Sequence, residues 1–105
     1  TLGQQWSDDS VAKVGGKKRP VLVVTRSEVL DVRILVTVAE ITTSIRGLVA
    51  EVGIDHDEVG LDRASVINCD GLHTVAQSSL ARRVGEVDAV TMRNVCSAIS
   101  YALGC

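Results

Sequence analysis

The stretch GGKKRPVLVV, residues 15–24, passes from a glycine pair through a basic cluster and a proline into β-branched residues. Glycines give a flexible loop and a proline is tolerated at the first residue of a strand, so this order predicts a loop that leads into a buried strand. Arg19 stands at that junction. A later apolar run ends in ITTS, residues 41–44, with three consecutive hydroxyl residues. If the two strands pair, a fixed guanidinium and a hydroxyl cluster face one groove, which suits a phosphodiester substrate.

Apolar residues alternate with polar ones over much of the chain, which is typical of half-buried strands. A continuous apolar run predicts a strand at residues 20–25, alternation predicts strands at residues 32–39 and 48–54, and shorter strand candidates lie at residues 65–70 and 84–87. We expect the three longer strands to be antiparallel neighbours. Gly71 ends the fourth strand, and residues 77–79 are predicted to form a single helical turn.

The C-terminal pattern predicts one helix. Asp88 is a good N-cap, and apolar residues from Met92 onward recur at helical spacing until Gly104 ends the run. Residues 7–18, which are polar and end in glycine, are typical of a linker. The sequence therefore predicts a mostly β fold with helices, in which a C-terminal helix lies on a small antiparallel β barrel.

The length and composition limit what this chain can do. Its 105 residues predict one domain, residues 1–105, with a modest core that pairing of two copies would enlarge. Aromatic residues make up only 2% of the chain, so base stacking cannot dominate any recognition of nucleic acid. The formal net charge of −2 means that RNA would need a local basic patch. The candidates for that patch are Lys13, Lys17, Lys18, Arg19 and Arg26, and an acidic region comprises Glu51, Asp55, Asp57, Glu58 and Asp62.

Three scattered cysteines, Cys69, Cys96 and Cys105, form no C-x-x-C pair that would suggest zinc or redox chemistry. We expect reduced thiols in a cytoplasmic protein that needs no cofactor and no metal. The N-terminus does not resemble a signal peptide, and no apolar run approaches the length of a membrane span.

The order of these segments is similar to that of the MazF/PemK (Kid) family of ribonuclease toxins, whose members carry an Arg-Pro strand start followed by an Ile-Thr-Thr-Ser type segment. Shorter matches follow in the family's usual order: Gly60-Leu61, Ser65-Val66, Cys69-Asp70, Leu80, Val84-Gly85-Glu86-Val87, Met92 and Ala102-Leu103-Gly104. The resemblance implies an SH3-like barrel of the MazF/PemK/CcdB type. It also implies a metal-independent, sequence-specific endoribonuclease that inhibits translation.

By this resemblance, the enzyme cleaves single-stranded RNA through the ribose 2′-hydroxyl, leaving a 2′,3′-cyclic phosphate and a 5′-hydroxyl. Such toxins act as homodimers, and a cognate antitoxin neutralises them with an acidic, disordered tail.

The resemblance assigns catalytic roles to Arg19, which would clamp the scissile phosphate, and to Thr42, which would orient the phosphate or the 2′-hydroxyl. Without it, Arg19 is a surface cation and Thr42 an ordinary strand-end threonine. The best-known branch of the family keeps a catalytic Arg where this chain has Asn68. Asp70 is then the candidate general base, or alternatively a residue that forms a turn.

Six residues are predicted to bind RNA: Lys17, Lys18, Thr43, Ser44, Arg46 and Asn68. His56 and His73 are expected to be solvated loop residues without a catalytic role. Glu40 is a lone charge in an apolar strand, which a basic neighbour or an edge position would explain.

Two alternatives stay open at this stage. A CcdB-like toxin shares the barrel but binds DNA gyrase without cutting RNA, although this chain ends in YALGC rather than in the Trp-Gly-Ile type tail of the gyrase poisons. A catalytically degenerate module would bind only RNA or the antitoxin.

Overall fold

The structure is a computed structural model and describes residues 10–14, 19–25 and 34–102, with the side chains of Val14 and Ala81 excepted. Its six strands are β1 (Ser10–Val14), β2 (Pro20–Val23), β3 (Leu35–Thr42), β4 (Glu51–Ile54), β5 (Ser65–Ala76) and β6 (Leu80–Glu86). A single 3-10 turn, Gln77–Ser79, joins β5 to β6, and helix α1 (Ala89–Ala102) follows. The predicted mostly β fold with a C-terminal helix is confirmed. Lys17, Lys18, Arg26 and Cys105 lie outside the described residues.

The strands form one antiparallel sheet in the order β4-β5-β3-β2-β1-β6, which curls into a half-barrel. Strand β3 is central and pairs with β2 on one side and with β5 on the other. The prediction that the third long strand neighbours the second is wrong, because β5 lies between β4 and β3.

Successive strand residues point to opposite faces of the sheet, and both faces bury apolar side chains. The helix face, defined here as the face against α1, has a core that includes Leu22, Ile41, Ile67 and Cys69, with Val95 and Ala98 of the helix. The opposite face buries a second cluster: Ala12, Val21, Val23, Val36, Val38 and Leu80. Because both faces are apolar, β2 reads as a continuous hydrophobic run.

Strand β1 corrects the prediction of a linker at residues 7–18. Val11 and Ala12 are fully buried, and the strand pairs with β2 on one side and with β6 on the other. Five residues with one lysine and one serine carry little periodic signal. The strand forms because two neighbours satisfy its backbone, which local sequence does not reveal.

Strand β5 continues past Gly71, where the sequence predicted an end. Glu40 lies opposite Asn68, whereas Ala39 lies opposite Leu72, so residues 69–71 form a bulge against β3. A glycine in a strand often marks such a bulge. The strand resumes its pairing and runs to Ala76.

The boundaries of β4, β6 and α1 follow local contacts. Strand β4 starts three residues later than predicted because Leu48 begins a turn closed by the Glu51 N–H, 3.0 Å from the Leu48 carbonyl. Strand β6 starts at Leu80, before the predicted residue 84. Asp88 is the N-cap as predicted, accepting the Thr91 N–H at 2.7 Å. This hydrogen bond holds the pKa of Asp88 below its usual value.

Within the described residues, no helix has the length and hydropathy that a membrane crossing needs.

Two glycines allow the backbone of the loop between β4 and β5 to pack directly against the backbone of strand β6. Gly60 has φ 76°, and a Cβ on it would lie 2.5 Å from the Val84 carbonyl oxygen. A Cβ on Gly85 would lie 2.6 Å from the Val59 carbonyl oxygen. The two backbones therefore touch, which fixes where residues 61–65 stand.

We expect Gly60→Ala to lower the free energy of unfolding by about 2 kcal/mol or more, since a left-handed backbone and a backbone clash both oppose the methyl group. Gly53→Ala is the matched control, because a Cβ on Gly53 meets nothing within 4 Å. That change should stay within about 0.5 kcal/mol of the parent protein. Urea unfolding measures both, and equal stability of the two variants would contradict the backbone contact.

Candidate active site

The pairing of β2 with β3 brings Arg19 and Thr42 to the same place. Val21 lies opposite Glu40, and Val23 lies opposite Val38. Continuing this register by two residues sets Arg19 opposite Thr42. Residues directly opposite in an antiparallel pair share a face, so both belong to the face opposite the helix. Arg19 is exposed and Thr42 is half-buried. The backbone positions of the two residues are therefore compatible with the predicted arrangement, and the approach of the guanidinium to the hydroxyl stays a prediction.

The Thr42 hydroxyl is held by the chain that follows it. Its Oγ1 accepts the Ser44 N–H at 3.0 Å, which closes a short hydroxyl turn. A hydroxyl accepts through its lone pairs and keeps one proton to donate. Thr42 can therefore donate to a phosphate oxygen while its own position stays fixed.

Glu51 organises the loop between β3 and β4. Its Oε1 accepts three consecutive backbone N–H groups, from Arg46 at 3.0 Å, Gly47 at 2.8 Å and Leu48 at 3.2 Å. The side chain of Glu51 is only 3% exposed. Desolvation by burial tends to raise the pKa of Glu51, but these hydrogen bonds and the charge of Arg46 bring it below its usual value. A buried carboxylate thus fixes the loop that carries Thr43 and Ser44.

The sequence analysis placed Glu51 in an acidic region and missed this function. Arg46, predicted to bind RNA, has its Nε 3.7 Å from the Glu51 Oε2, so part of its charge is already balanced. Its side chain is still 59% exposed. Thr43 and Ser44 are exposed at the start of the same loop.

A groove of about 200 Å³ opens at the end of the sheet where Arg19 and Thr42 lie. It is lined by Lys13, Pro20, Thr43, Gly60, Leu61, Asp62, Arg63 and Ser65. Pro20 follows Arg19 and Thr43 follows Thr42, so the groove lies at the same end of the sheet as both. Strand alternation places Lys13 and Pro20 on the helix face, with Val11 and Leu22, and Arg19 on the opposite face. Lys13 and Arg63 bring positive charge from two different elements. Sequence reasoning included Lys13 in the basic patch but missed Arg63, since only the fold brings the loop before β5 here.

Asp70 and Asn68 lie on β5, at and beside the bulge. Asn68 pairs across the sheet with Glu40 and shares a face with Thr42. The Asp70 N–H donates to the Asn68 Oδ1 at 3.1 Å, a local turn contact, and Asp70 is exposed. Among the described residues, no hydrogen bond or ion pair joins the Asp70 carboxylate to Arg19 or Thr42. The geometry fits the turn-forming alternative and leaves the role of general base a prediction.

His73 is not a loop residue, contrary to the prediction. It lies within β5 opposite Val38, and its Nε2 is 3.6 Å from the Glu40 Oε2. A basic partner for Glu40 is therefore confirmed, whereas the edge-strand explanation is wrong because β3 is central. His56 is in a turn as predicted, with its Nε2 3.5 Å from the Asp57 Oδ1.

The described cysteines are free thiols and do not form part of the site. Cys69 is buried, and its Sγ lies 3.9 Å from the carbonyl oxygens of Ile67 and Val95. Burial raises the pKa of Cys69 to about 11, and the charges of Asp70 and Cys96 add to the rise. A thiol that stays protonated is a poor nucleophile. The described residues also contain no group of three or more His, Cys, Asp or Glu placed to hold a metal ion.

A family model described as PemK-like, MazF-like toxin of type II toxin-antitoxin system matches residues 5–103 of this chain. The chain is similar to the probable endoribonuclease MazF5 of Mycobacterium tuberculosis, with 32% identity over 103 residues that cover 98% of this chain and 92% of the relative. It is also similar to the solved toxin MazF-mt6 of Mycobacterium tuberculosis, with a TM-score of 0.83 and 35% identity. That alignment covers 91% of this chain and 96% of the toxin.

A second solved structure, an endoribonuclease in complex with its cognate antitoxin from a mycobacterial species, has a TM-score of 0.84 at 23% identity. It covers 94% of this chain and 95% of its own. At that identity the match supports the fold alone.

We expect Glu51→Gln to loosen the loop and lower the urea midpoint at pH 7, because a neutral amide accepts these N–H groups more weakly than a carboxylate. The lowered pKa means that this stabilisation is present above the unfolded value of 4.5 and is lost as the pH falls below it. The gap between the variant and the parent should therefore close in acid. Glu58→Gln, at an exposed position, is the charge-matched control. A gap that persists unchanged at low pH would contradict this role.

Proposed function

Because this chain belongs to the PemK-like, MazF-like family of toxins from type II toxin-antitoxin systems, we propose that it is a sequence-specific endoribonuclease that cuts single-stranded RNA without a metal. The observation that supports the proposal is the β2/β3 register, which pairs Val21 with Glu40 and, continued by two residues, would set Arg19 opposite Thr42. A planar cation beside a hydroxyl donor suits a phosphodiester in its transition state.

The proposed reaction takes its nucleophile from the substrate. The ribose 2′-oxygen loses its proton to a base and attacks the adjacent phosphorus, and the bond from phosphorus to the 5′-oxygen breaks. The 5′-oxygen gains a proton, which leaves a 2′,3′-cyclic phosphate and a 5′-hydroxyl. The protein must neutralise the phosphorane and move two protons, and it needs no nucleophile of its own.

In this reaction Arg19 clamps the nonbridging phosphate oxygens with two parallel N–H donors. A guanidinium stays protonated in proteins, so Arg19 is better suited to holding the phosphate than to donating a proton as a general acid. Thr42 donates its hydroxyl proton to a phosphate oxygen or orients the 2′-hydroxyl. Asp70 stays the candidate base. Its exposed carboxylate would have to approach the substrate from the β5 bulge.

We also propose that the active unit is a cytoplasmic homodimer that inhibits translation and is neutralised by a cognate antitoxin. A short aliphatic chain gains core by pairing. One mycobacterial endoribonuclease of the same fold is described in complex with its cognate antitoxin. An antitoxin with an acidic tail would meet Lys13 and Arg63 in the groove, beside the single acidic residue Asp62.

Arg19→Ala should lower the rate of RNA cleavage by roughly 10²- to 10³-fold, the scale seen when one transition-state donor is lost. The fold should be unaffected, since Arg19 is exposed. Arg19→Lys should restore little activity because a point charge does not reproduce the planar fork. The measurement is initial rates on a single-stranded oligonucleotide.

Arg93→Ala, which removes an exposed arginine from α1, is the matched control and should cut at the parent rate. A folded Arg19→Ala protein that also cuts at that rate would remove Arg19 from the mechanism.

Cleavage should continue in excess EDTA, and the purified protein should leave gyrase supercoiling unchanged. Mapping the 5′ ends of transcripts after brief expression should show cuts that share a short motif. Inhibition of gyrase without RNA cleavage would make the CcdB-like alternative correct. Binding of RNA or antitoxin without either activity would identify a degenerate module.

The double change Lys13→Ala with Arg63→Ala should weaken RNA binding for all sequences alike, because lysine and arginine in the groove would contact phosphate rather than bases. The slope of log affinity against log salt should flatten by about 0.7 for each lost phosphate contact. Salt titrations against a noncleavable oligonucleotide measure this slope. An unchanged slope would mean that RNA does not follow this groove.

A further inference from the structure

The first step of the proposed reaction, removal of the proton from the 2′-hydroxyl, needs a base beside Arg19 and Thr42. A guanidinium stays protonated and a hydroxyl is a weak base, so neither side chain of that pair suits the step. Asp70 lies in the bulge at residues 69–71, which has no pairing partner on β3. The face that carries Thr42 holds another carboxylate, that of Glu40.

Glu40 occupies the position next to the Arg19–Thr42 pair on this face. It precedes Thr42 by two residues on β3, so the two side chains point to the same side, about 7 Å apart along the strand. The register with β2, continued by two residues, makes Arg19 the diagonal neighbour of Glu40, a spacing of about 7–8 Å. A phosphate held by Arg19 and Thr42 would therefore have a carboxylate one row away, toward the middle of β3.

This spacing suits a proton transfer rather than a contact with the phosphate itself. A general base has to lie about 2.6–3.2 Å from the oxygen whose proton it takes. The 2′-hydroxyl belongs to the ribose that carries the scissile phosphate on its 3′-oxygen, so it lies a few bonds away from the oxygens that Arg19 and Thr42 would hold. A ribose that lies along β3 then brings this hydroxyl to Glu40.

The Glu40 carboxylate is accessible and has an unused oxygen. Its Oε2 lies 3.6 Å from the His73 Nε2, and the side chain is 37% exposed. Within the described residues, Oε1 takes part in no hydrogen bond or ion pair, and neither oxygen is paired with Arg19. A Cβ on Gly71 would lie 3.3 Å from the Glu40 Cβ, so a larger residue there would crowd the glutamate. A substrate hydroxyl can therefore donate to Oε1.

His73 carries the other group on this face that could take a proton, because an imidazole is a common base at neutral pH. It lies opposite Val38, four residues before Thr42, which is about 14 Å along the strand. Its contact with Glu40 comes from the side away from Thr42. Glu40 is thus the nearer of the two groups to the place where a phosphate would be held.

We propose that Glu40 is the general base of RNA cleavage, in place of Asp70. This inference rests on the proposed endoribonuclease function. The Glu40 carboxylate takes the 2′-hydroxyl proton while the 2′-oxygen forms its bond to phosphorus and the bond from phosphorus to the 5′-oxygen breaks. The 5′-oxygen takes a proton from water, and Glu40, now a carboxylic acid, returns its proton to solvent.

The test compares single-turnover cleavage of a single-stranded oligonucleotide by the wild type and by Glu40→Gln, which keeps the size of the side chain but cannot take the proton. The rate should fall by about 10²- to 10⁴-fold, the range for loss of a general base. Affinity for the same oligonucleotide with a 2′-deoxy linkage should not weaken, because the change removes a negative charge. Glu40→Asp should cut faster than Glu40→Gln, since it keeps a carboxylate.

Three further variants separate the base from its alternatives. Glu58→Gln makes the same change at an exposed position outside the site and should cut at the parent rate. His73→Gln and Asp70→Asn should each lose less rate than Glu40→Gln, and urea unfolding shows that every variant folds. A folded Glu40→Gln protein that cuts as fast as the wild type or as Glu40→Asp, or that loses less rate than His73→Gln or Asp70→Asn, would overturn the inference.

A substrate with sulfur in place of the 5′-oxygen distinguishes a base from an acid, since a thiolate leaves without a proton. The loss of rate in Glu40→Gln should persist on this substrate, and restoration of the rate would identify an acid and overturn the inference. A wild type that cuts neither substrate overturns the endoribonuclease proposal and this inference with it. A wild type that cuts RNA no faster than Glu40→Gln overturns the role of Glu40 alone.

Discussion

The register of β3 with its two neighbours is the constraint on which the rest of this molecule depends. The register with β2, continued by two residues, sets Arg19 opposite Thr42, and pairing with β5 sets Asn68 opposite Glu40. Because side chains alternate between faces, a slip of one residue would carry Glu40 and Thr42 into the core against α1 and expose Ile41. The burial of Ile41 and Ile67 therefore also fixes which residues can meet a substrate.

Charged side chains are distributed over several parts of the sheet and its loops rather than concentrated in one patch. Lys13 and Arg63 line the groove at the end of the sheet, and Glu40 and His73 lie further along β3 and β5. The carboxylate of Glu51 is hydrogen-bonded to the backbone of the loop between β3 and β4. A net charge of −2 is therefore compatible with binding a polyanion. Basic and acidic side chains therefore occupy separate parts of the surface.

Sequence reasoning succeeded where the signal was local. The Arg-Pro strand start, the hydroxyl run after Ile41 and the capping by Asp88 are each written in a few adjacent residues, and the helix and two strands follow from them. Strand β1, the bulge and the placement of His73 depend on partners far away in the chain. A strand of only five residues, SVAKV, or a histidine two residues after a glycine carries no trace of such partners. The function of Glu51 was missed for the same reason, since its identity as a loop anchor requires the turn that only the fold shows.

The bulge at residues 69–71 divides β5 into two segments that pair with β3 in different registers. Residues before it meet the polar end of β3, and residues after it meet the apolar end. The two segments are thus free to diversify separately. Substitutions in the bulge can reshape the surface around Glu40 while Val36 and Val38 keep their packing. The surface beside the candidate site can therefore change over evolution while the packing of the barrel is kept.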